Sequence, residues 1–206
     1  MENPAPSRKV SQAGKTGQLR RPPNSELRDR EYLKPDEMET LLKAAKSRGR
    51  YPHRDYTLLL LMYRHGLRVS EAIALRWSVV DFSTAHLLVK RLKGGLSSTQ
   101  PIGAAELRAL RKLQRDHPDS PFLFNSERDA PLTDHAVRML CRRAGKEAGF
   151  PFVIHPHMLR HSCGYYLINK GVDVRAIQTY LGHRDIQSTA RYTELAPGRF
   201  EGFWKD

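Results

Sequence analysis

The chain has 206 residues, 39% of them hydrophobic, and its 35 Lys and Arg against 22 Asp and Glu leave a formal net charge of +13. No apolar run approaches the roughly 18–20 residues a membrane span needs, the longest being Leu58–Met62, and the N-terminus lacks the apolar core of a secretory signal, so neither spanning nor export is expected. A pI of about 10.0 attracts polyanions with salt-dependent affinity, which raises nucleic acid as a partner without separating it from an anionic membrane surface.

Residues 1–30 carry Pro4, Pro6, Pro22, Pro23 and several basic side chains but almost nothing large and apolar. Such a segment buries too little to offset its ordering entropy, so it is expected to be a disordered basic tail. Contact with DNA phosphates and a merely solvated leader are both open. Folding is expected to begin near Tyr32.

Pro35 suits the first turn of a helix, and Asp36 and Glu37 favour its positive end. Met38, Leu41, Leu42 and Ala45 then recur at helical spacing. A second helix is predicted from Arg54 to His65, stopped by Gly66. Ser70 is predicted to cap a short helix through Leu75. Val79, Val80, Phe82 and Leu87–Val89 favour strands. Gly94–Gly95 offers a turn to a last strand ending near Ile102. Helical periodicity returns at Ala104–Leu113, at Thr133–Ala148 with Thr133 as cap, and at Met158–Asn169 before Gly171. Val174–Leu181 and Ile186–Arg191 follow. The fold class is therefore mainly α with one small antiparallel β-sheet. The two cysteines, Cys141 and Cys163, are expected to be buried thiols rather than a disulfide.

Three clusters carry candidate chemistry: Gly66-Leu67-Arg68-Val69-Ser70-Glu71, His157-Met158-Leu159-Arg160-His161, and Leu181-Gly182-His183 followed nine residues later by Tyr192. On a helix, His157 and Arg160 share a face and His161 flanks it. An imidazole and a guanidinium then meet one anion, and the planar guanidinium fork donates two parallel charged hydrogen bonds to a phosphate. Each residue alone also has a plainer reading. Arg160 suits a structural ion pair, Arg68 a surface arginine oriented by Glu71, the histidines packed rings, and Tyr192 a buried aromatic.

The order of these elements resembles the tyrosine recombinase (phage integrase) family, over roughly Tyr32 to Pro197. Within it, His155-Pro156-His157-Met158-Leu159-Arg160-His161-Ser162-Cys163-Gly164, Tyr180-Leu181-Gly182-His183-Arg184 and Gly198-Arg199-Phe200 are similar to the short recombinases that invert the type 1 fimbrial promoter switch. The resemblance implies a tyrosine recombinase catalytic-domain fold from 31 to 206, with a C-terminal tail from Pro197. Like those enzymes, the chain is expected to lack the larger N-terminal clamping domain of most relatives.

Carried over by motif, the resemblance implies that Arg68 and Arg160 hold the phosphate. Lys93 in a hairpin, beside Lys90 and Arg91, protonates the leaving 5′-oxygen. His157 acts as base, His183 adds a hydrogen bond to the phosphate, and Tyr192 is the nucleophile, with Glu71 and His161 in support. The product is a 3′-phosphotyrosine that conserves bond energy, so no cofactor and no metal are implied. The implied partners are double-stranded DNA at inverted repeats, a homo-tetramer on that DNA, and accessory DNA-bending proteins. The implied place is the bacterial cytoplasm, at the nucleoid. The tail holding Phe200, Phe203 and Trp204 is open between packing on its own core and on a neighbour.

Three other readings remain in view. Zinc held by His155, His157, His161, Cys163 and His183 fits no standard ligand spacing. A non-catalytic DNA-binding regulator needs basic patches but no tyrosine at that place. Type IB topoisomerase chemistry is the third, and the small size and the Leu-Gly-His element argue against it.

Overall fold

The computed structural model describes residues 30–91 and 95–194. The expected N-terminal tail, apart from Arg30, lies outside them, as do Lys93, Gly94 and the tail from Pro197. Arg30 is already packed: its guanidinium pairs with both carboxylate oxygens of Glu37 at 2.6 Å.

Eight α-helices and one three-stranded sheet make up the described fold, which is mainly α as its periodicities predict. The helices are α1 (Pro35–Ser47), α2 (Pro52–Arg64), α3 (Val69–Ile73), α4 (Ala104–Asp116), α5 (Asp134–Glu147), α6 (Pro156–Asn169), α7 (Val174–Leu181) and α8 (Gln187–Glu194). The antiparallel sheet runs β1 (Val80–Asp81), β2 (His86–Val89) and β3 (Ser98–Pro101) in that order, with Leu87 opposite Gln100 and Val89 opposite Ser98.

Two helices lie at the centre because their sequences are apolar around more than one face. In α2, Leu58–Met62 are all buried, and in α6 burial runs from Met158 to Gly164. Packing against α1, α4, α5, the sheet and the segment around Phe124 completes the main core. A second, smaller core gathers Cys163, Ile177, Leu181 and Tyr192 between α6, α7 and α8. Burial of Leu87 and Val89, with Leu88 turned outward, follows the two-residue period of a strand.

Helix ends differ from the sequence reading where a stronger local signal takes over. Helices α2 and α6 each start two residues earlier, at Pro52 and Pro156, because a proline at the first helical position loses no bond. Ser70 is not the cap of α3; it lies inside the first turn. The cap is Arg68, whose backbone N–H donates to Glu71 Oε2 at 2.9 Å, and the helix ends at Ile73, not Leu75. Val79 and Phe82 are not strand residues: Val79 closes a 3-10 turn from Trp77, and Phe82 falls in the turn after β1. The stop after α2 is made as expected by Gly66, at φ +56°. Thr133 caps α5 by accepting from Ala136 N–H at 3.1 Å.

Candidate active site

Helix α6 carries the central residue. Arg160 is 1% exposed, and its guanidinium donates to Gly66 O at 2.5 Å and Leu181 O at 2.8 Å. Both carbonyls belong to helix C-terminal ends, of α2 and α7, where unsatisfied carbonyls carry partial negative charge. One buried cation thus draws the Gly66–Arg68 turn and the Leu181–His183 turn to the same side of α6. Burial, with repulsion from Arg68 and Arg91, lowers its pKa to about 10, still charged at neutral pH.

Arg68 follows Gly66 and stays accessible, its side chain 37% exposed. Its guanidinium donates to Glu71 Oε1 at 2.8 Å while Arg91 donates to Glu71 Oε2 at 2.8 Å. Burial works against the charge of Glu71. Hydrogen bonds from Arg68 and the neighbouring Arg91 outweigh it and hold the carboxyl below its usual range. Arg68 and Arg91 share the Glu71 carboxylate, and Arg160 lies within its electrostatic reach, so the three guanidinium groups exceed the carboxylate by two positive charges, an arrangement suited to an incoming anion.

Arg91 is a further site residue that the motifs do not mark, although the strand pattern carries a signal for it. Continuing the inward alternation of Leu87 and Val89 places position 91 on the core side of β2. Besides Glu71 it donates to the carbonyls of His65 at 2.9 Å and Tyr180 at 2.5 Å. Gln100 on β3 donates to the same Tyr180 carbonyl at 2.8 Å. The hairpin is thereby tied to the end of α7. A Cβ on Gly95 would lie 2.9 Å from Gly182 O, so the close approach there requires glycine. Lys93 itself lies outside the described residues.

His183 follows Gly182, whose left-handed φ of +68° ends α7. His183 Nδ1 is 2.7 Å from Thr189 Oγ1, and its ring stacks with that of Tyr192 at a centroid distance of 6.3 Å. Burial, then the charges of Arg160, Arg68 and Arg91, lowers its pKa to about 4, leaving a neutral imidazole at neutral pH.

Tyr192 on α8 is 2% exposed, and its hydroxyl lies 3.1 Å from His161 Nδ1. Burial raises its pKa to about 12, with Arg160 opposing the rise. His157, exposed in the first turn of α6, packs edge-on against His161 at a centroid distance of 4.5 Å. It lines a cleft of about 300 Å³ with Arg68, Ser70, His155, Pro156 and the Asp134–Arg138 ion pair. The imidazole that meets the phenol is thus His161, while His157 faces the cleft. Helical spacing did not distinguish these two positions.

A profile of the phage integrase family matches residues 31–199. The type 1 fimbriae regulatory protein FimB of Escherichia coli K12 is 42% identical over 180 residues, covering 85% of this chain and 90% of that protein. FimE of the same strain is 38% identical over 182 residues, covering 85% and 91%. The tyrosine recombinase XerC of Bacillus pumilus is 34% identical over 185 residues, covering 84% of this chain and 60% of XerC. Among solved structures, XerA recombinase superposes with a TM-score of 0.72 at 28% identity, covering 84% of this chain and 61% of that one. XerH recombinase on a palindromic difH substrate superposes with a TM-score of 0.73 at 23% identity, covering 82% and 51%, a likeness of fold. The chain therefore spans between half and two thirds of the length of those two structures. Among the described residues no helix is long and apolar enough to cross a membrane.

Proposed function

The chain belongs to the phage integrase family and is a site-specific recombinase of the tyrosine type; from that premise we propose that Tyr192 cleaves and rejoins DNA at inverted repeats and so inverts a promoter segment. The observation that carries the reading is the convergence of Arg68, Arg160, His183 and the Tyr192 ring on one side of α6, with Arg68 also lining the adjacent cleft.

A phosphodiester is anionic and repels nucleophiles, so charge neutralisation and in-line placement are the main demands. Arg68 and Arg160 hold the non-bridging oxygens and stabilise the charge that builds in the transition state. His183 and the cleft-facing His157 add hydrogen bonds to the same phosphate. Glu71 orients Arg68. Tyr192 attacks phosphorus, Lys93 protonates the departing 5′-oxygen, and a 3′-phosphotyrosine forms. Attack by a 5′-hydroxyl from a partner strand reverses the step, so no external energy source is needed.

The partners proposed with this reading are double-stranded DNA, three further copies of the chain in a tetramer on two sites, and accessory DNA-bending proteins. Cytoplasmic residence at the nucleoid follows from such a substrate. The similarity to FimB and FimE supports a phase-variation role.

The test is covalent trapping on fragmented DNA of the source genome, followed by sequencing of the protein-linked strands. The wild-type chain is expected to capture a discrete pair of inverted repeats, and Tyr192→Phe to bind those duplexes without forming an adduct. Adduct formation by Tyr192→Phe overturns the assignment.

A further inference from the structure

We infer that His161 is the group that orients the Tyr192 phenol and accepts its proton as the phosphotyrosine bond forms. The inference deepens the proposed reading of this site and rests on it.

The geometry is specific. His161 Nδ1 stands 3.1 Å from the Tyr192 hydroxyl, and that hydroxyl has no other hydrogen-bond partner among the described residues. His161 is 8% exposed and Tyr192 2%, so bulk water competes little for the bond. The phenol ring is held from two further directions. Gly164, one turn along α6 from His161, leaves room that a side chain would take, since a Cβ there would lie 2.6 Å from Tyr192 Cζ. The His183 ring stacks against the phenol as well, with 24° between planes.

The protonation state agrees with the geometry. Burial first, then His157, Arg191 and Arg160, lowers the His161 pKa to about 3. A neutral imidazole has one nitrogen free to accept, and a phenol that stays protonated at neutral pH has a hydrogen to give. The resulting tautomer carries its proton on Nε2 and accepts at Nδ1. His157 differs in place: it is exposed beside Arg68 in the cleft, where a phosphate is reached more directly than a buried hydroxyl.

The step balances as follows. The Tyr192 O–H bond breaks and its proton passes to His161 Nδ1, giving an imidazolium. The freed electron pair on oxygen forms the bond to phosphorus, and the bond from phosphorus to the 5′-oxygen breaks. The departing oxygen takes a proton from the acid assigned above to Lys93. Rejoining runs the same transfers backwards and returns the proton to the phenol. In the resting protein the transfer is uphill, because burial penalises both charged products. The negative charge of a phosphodiester seated among the arginines favours the imidazolium, against both its burial and the repulsion from Arg160, so transfer accompanies attack rather than preceding it.

The experiment uses the full chain and the duplex identified by trapping, synthesised once with the natural 5′-oxygen and once with a bridging 5′-sulfur at the scissile position. The sulfur leaves without a general acid. His161→Asn keeps an acceptor near the place of Nδ1 but removes the base. Its adduct formation at saturating DNA is expected to fall about 10²–10⁴-fold on both substrates, the usual worth of a lost proton transfer. Lys93→Ala is expected to fail on oxygen and recover on sulfur. A wild-type rate for His161→Asn, or its rescue by sulfur, overturns the inference. The pH profile adds a check: His157, His155 and Arg160 on α6 and its cap, with Arg191 and Tyr192 on α8, face this imidazole, and His161→Asn is expected to alter the ascending limb.

A second readout needs no activity. Nitrogen-15 NMR of the DNA-free chain, with His161 assigned by substitution, is expected to show an unprotonated Nδ1 whose shift moves in Tyr192→Phe. A protonated Nδ1, or indifference to Tyr192→Phe, overturns the pairing. If the wild-type chain forms no adduct on any DNA, the recombinase reading fails and the NMR result still decides the pairing.

Discussion

Arg91 and Glu71 form an ion pair at 2.8 Å in which neither side chain is more than 1% exposed. It joins the segment just after β2 to α3, the helix capped by Arg68. A buried pair of this kind contributes little net energy when intact, yet removing one partner strands the other charge.

Glu71→Ala is accordingly expected to cost about 3–5 kcal/mol in urea unfolding, because Arg91 then sits buried without a carboxylate. Replacing both, as Glu71→Leu with Arg91→Met, is expected to recover much of that stability while leaving Arg68 without its orienting partner. DNA cleavage by the double variant is therefore expected to stay low although the fold is restored. A double variant as active as wild type contradicts the orienting role of Glu71.

Gly164→Ala tests the seat of the phenol without touching its hydroxyl. The added methyl overlaps the Tyr192 ring, so α8 must shift, and overpacking of this size costs about 1–3 kcal/mol. DNA affinity is expected to hold while the single-turnover rate of adduct formation drops. Equal loss of binding and rate, measured by gel shift and quenched-flow trapping, places the defect in the fold instead.

Acid sensitivity follows from the two buried imidazoles. His161 and His183 titrate near 3 and 4 in the folded chain, burial being the largest cause, against 6.5 for an exposed histidine. Between those values the unfolded chain binds protons that the folded chain does not, so stability falls as pH drops from about 6.5 towards about 4. The urea midpoint of wild type is expected to fall over that window, and that of His161→Asn to fall less. Parallel curves for the two proteins contradict the neutral, buried state of His161.

Much of the fold is legible from local chemistry. The apolar block Leu58–Met62 marks a central helix, Gly66 marks its stop and Thr133 caps α5, each through interactions within a few residues. Errors arise where two local signals compete. Ser70 is a good capping residue, but the Glu71 carboxylate already satisfies the backbone donor one turn back. Site residue types and their order are visible in the chain. The partner of each side chain is not, because Arg160 meets Leu181 and His161 meets Tyr192 through packing of α6, α7 and α8. Arg91 is hard to read from the sequence because a charged residue just past a strand looks solvated unless the strand's inward alternation is followed on to it.

The central claim is that the Tyr192 oxygen becomes bonded to DNA. Protease digestion of the trapped complex, followed by mass spectrometry of the nucleotide-bearing peptide, tests it most directly. The account predicts a 3′-phosphate ester on Tyr192 and on no other residue. A phosphate ester on a different side chain, with Tyr192 unmodified in the same complex, contradicts it.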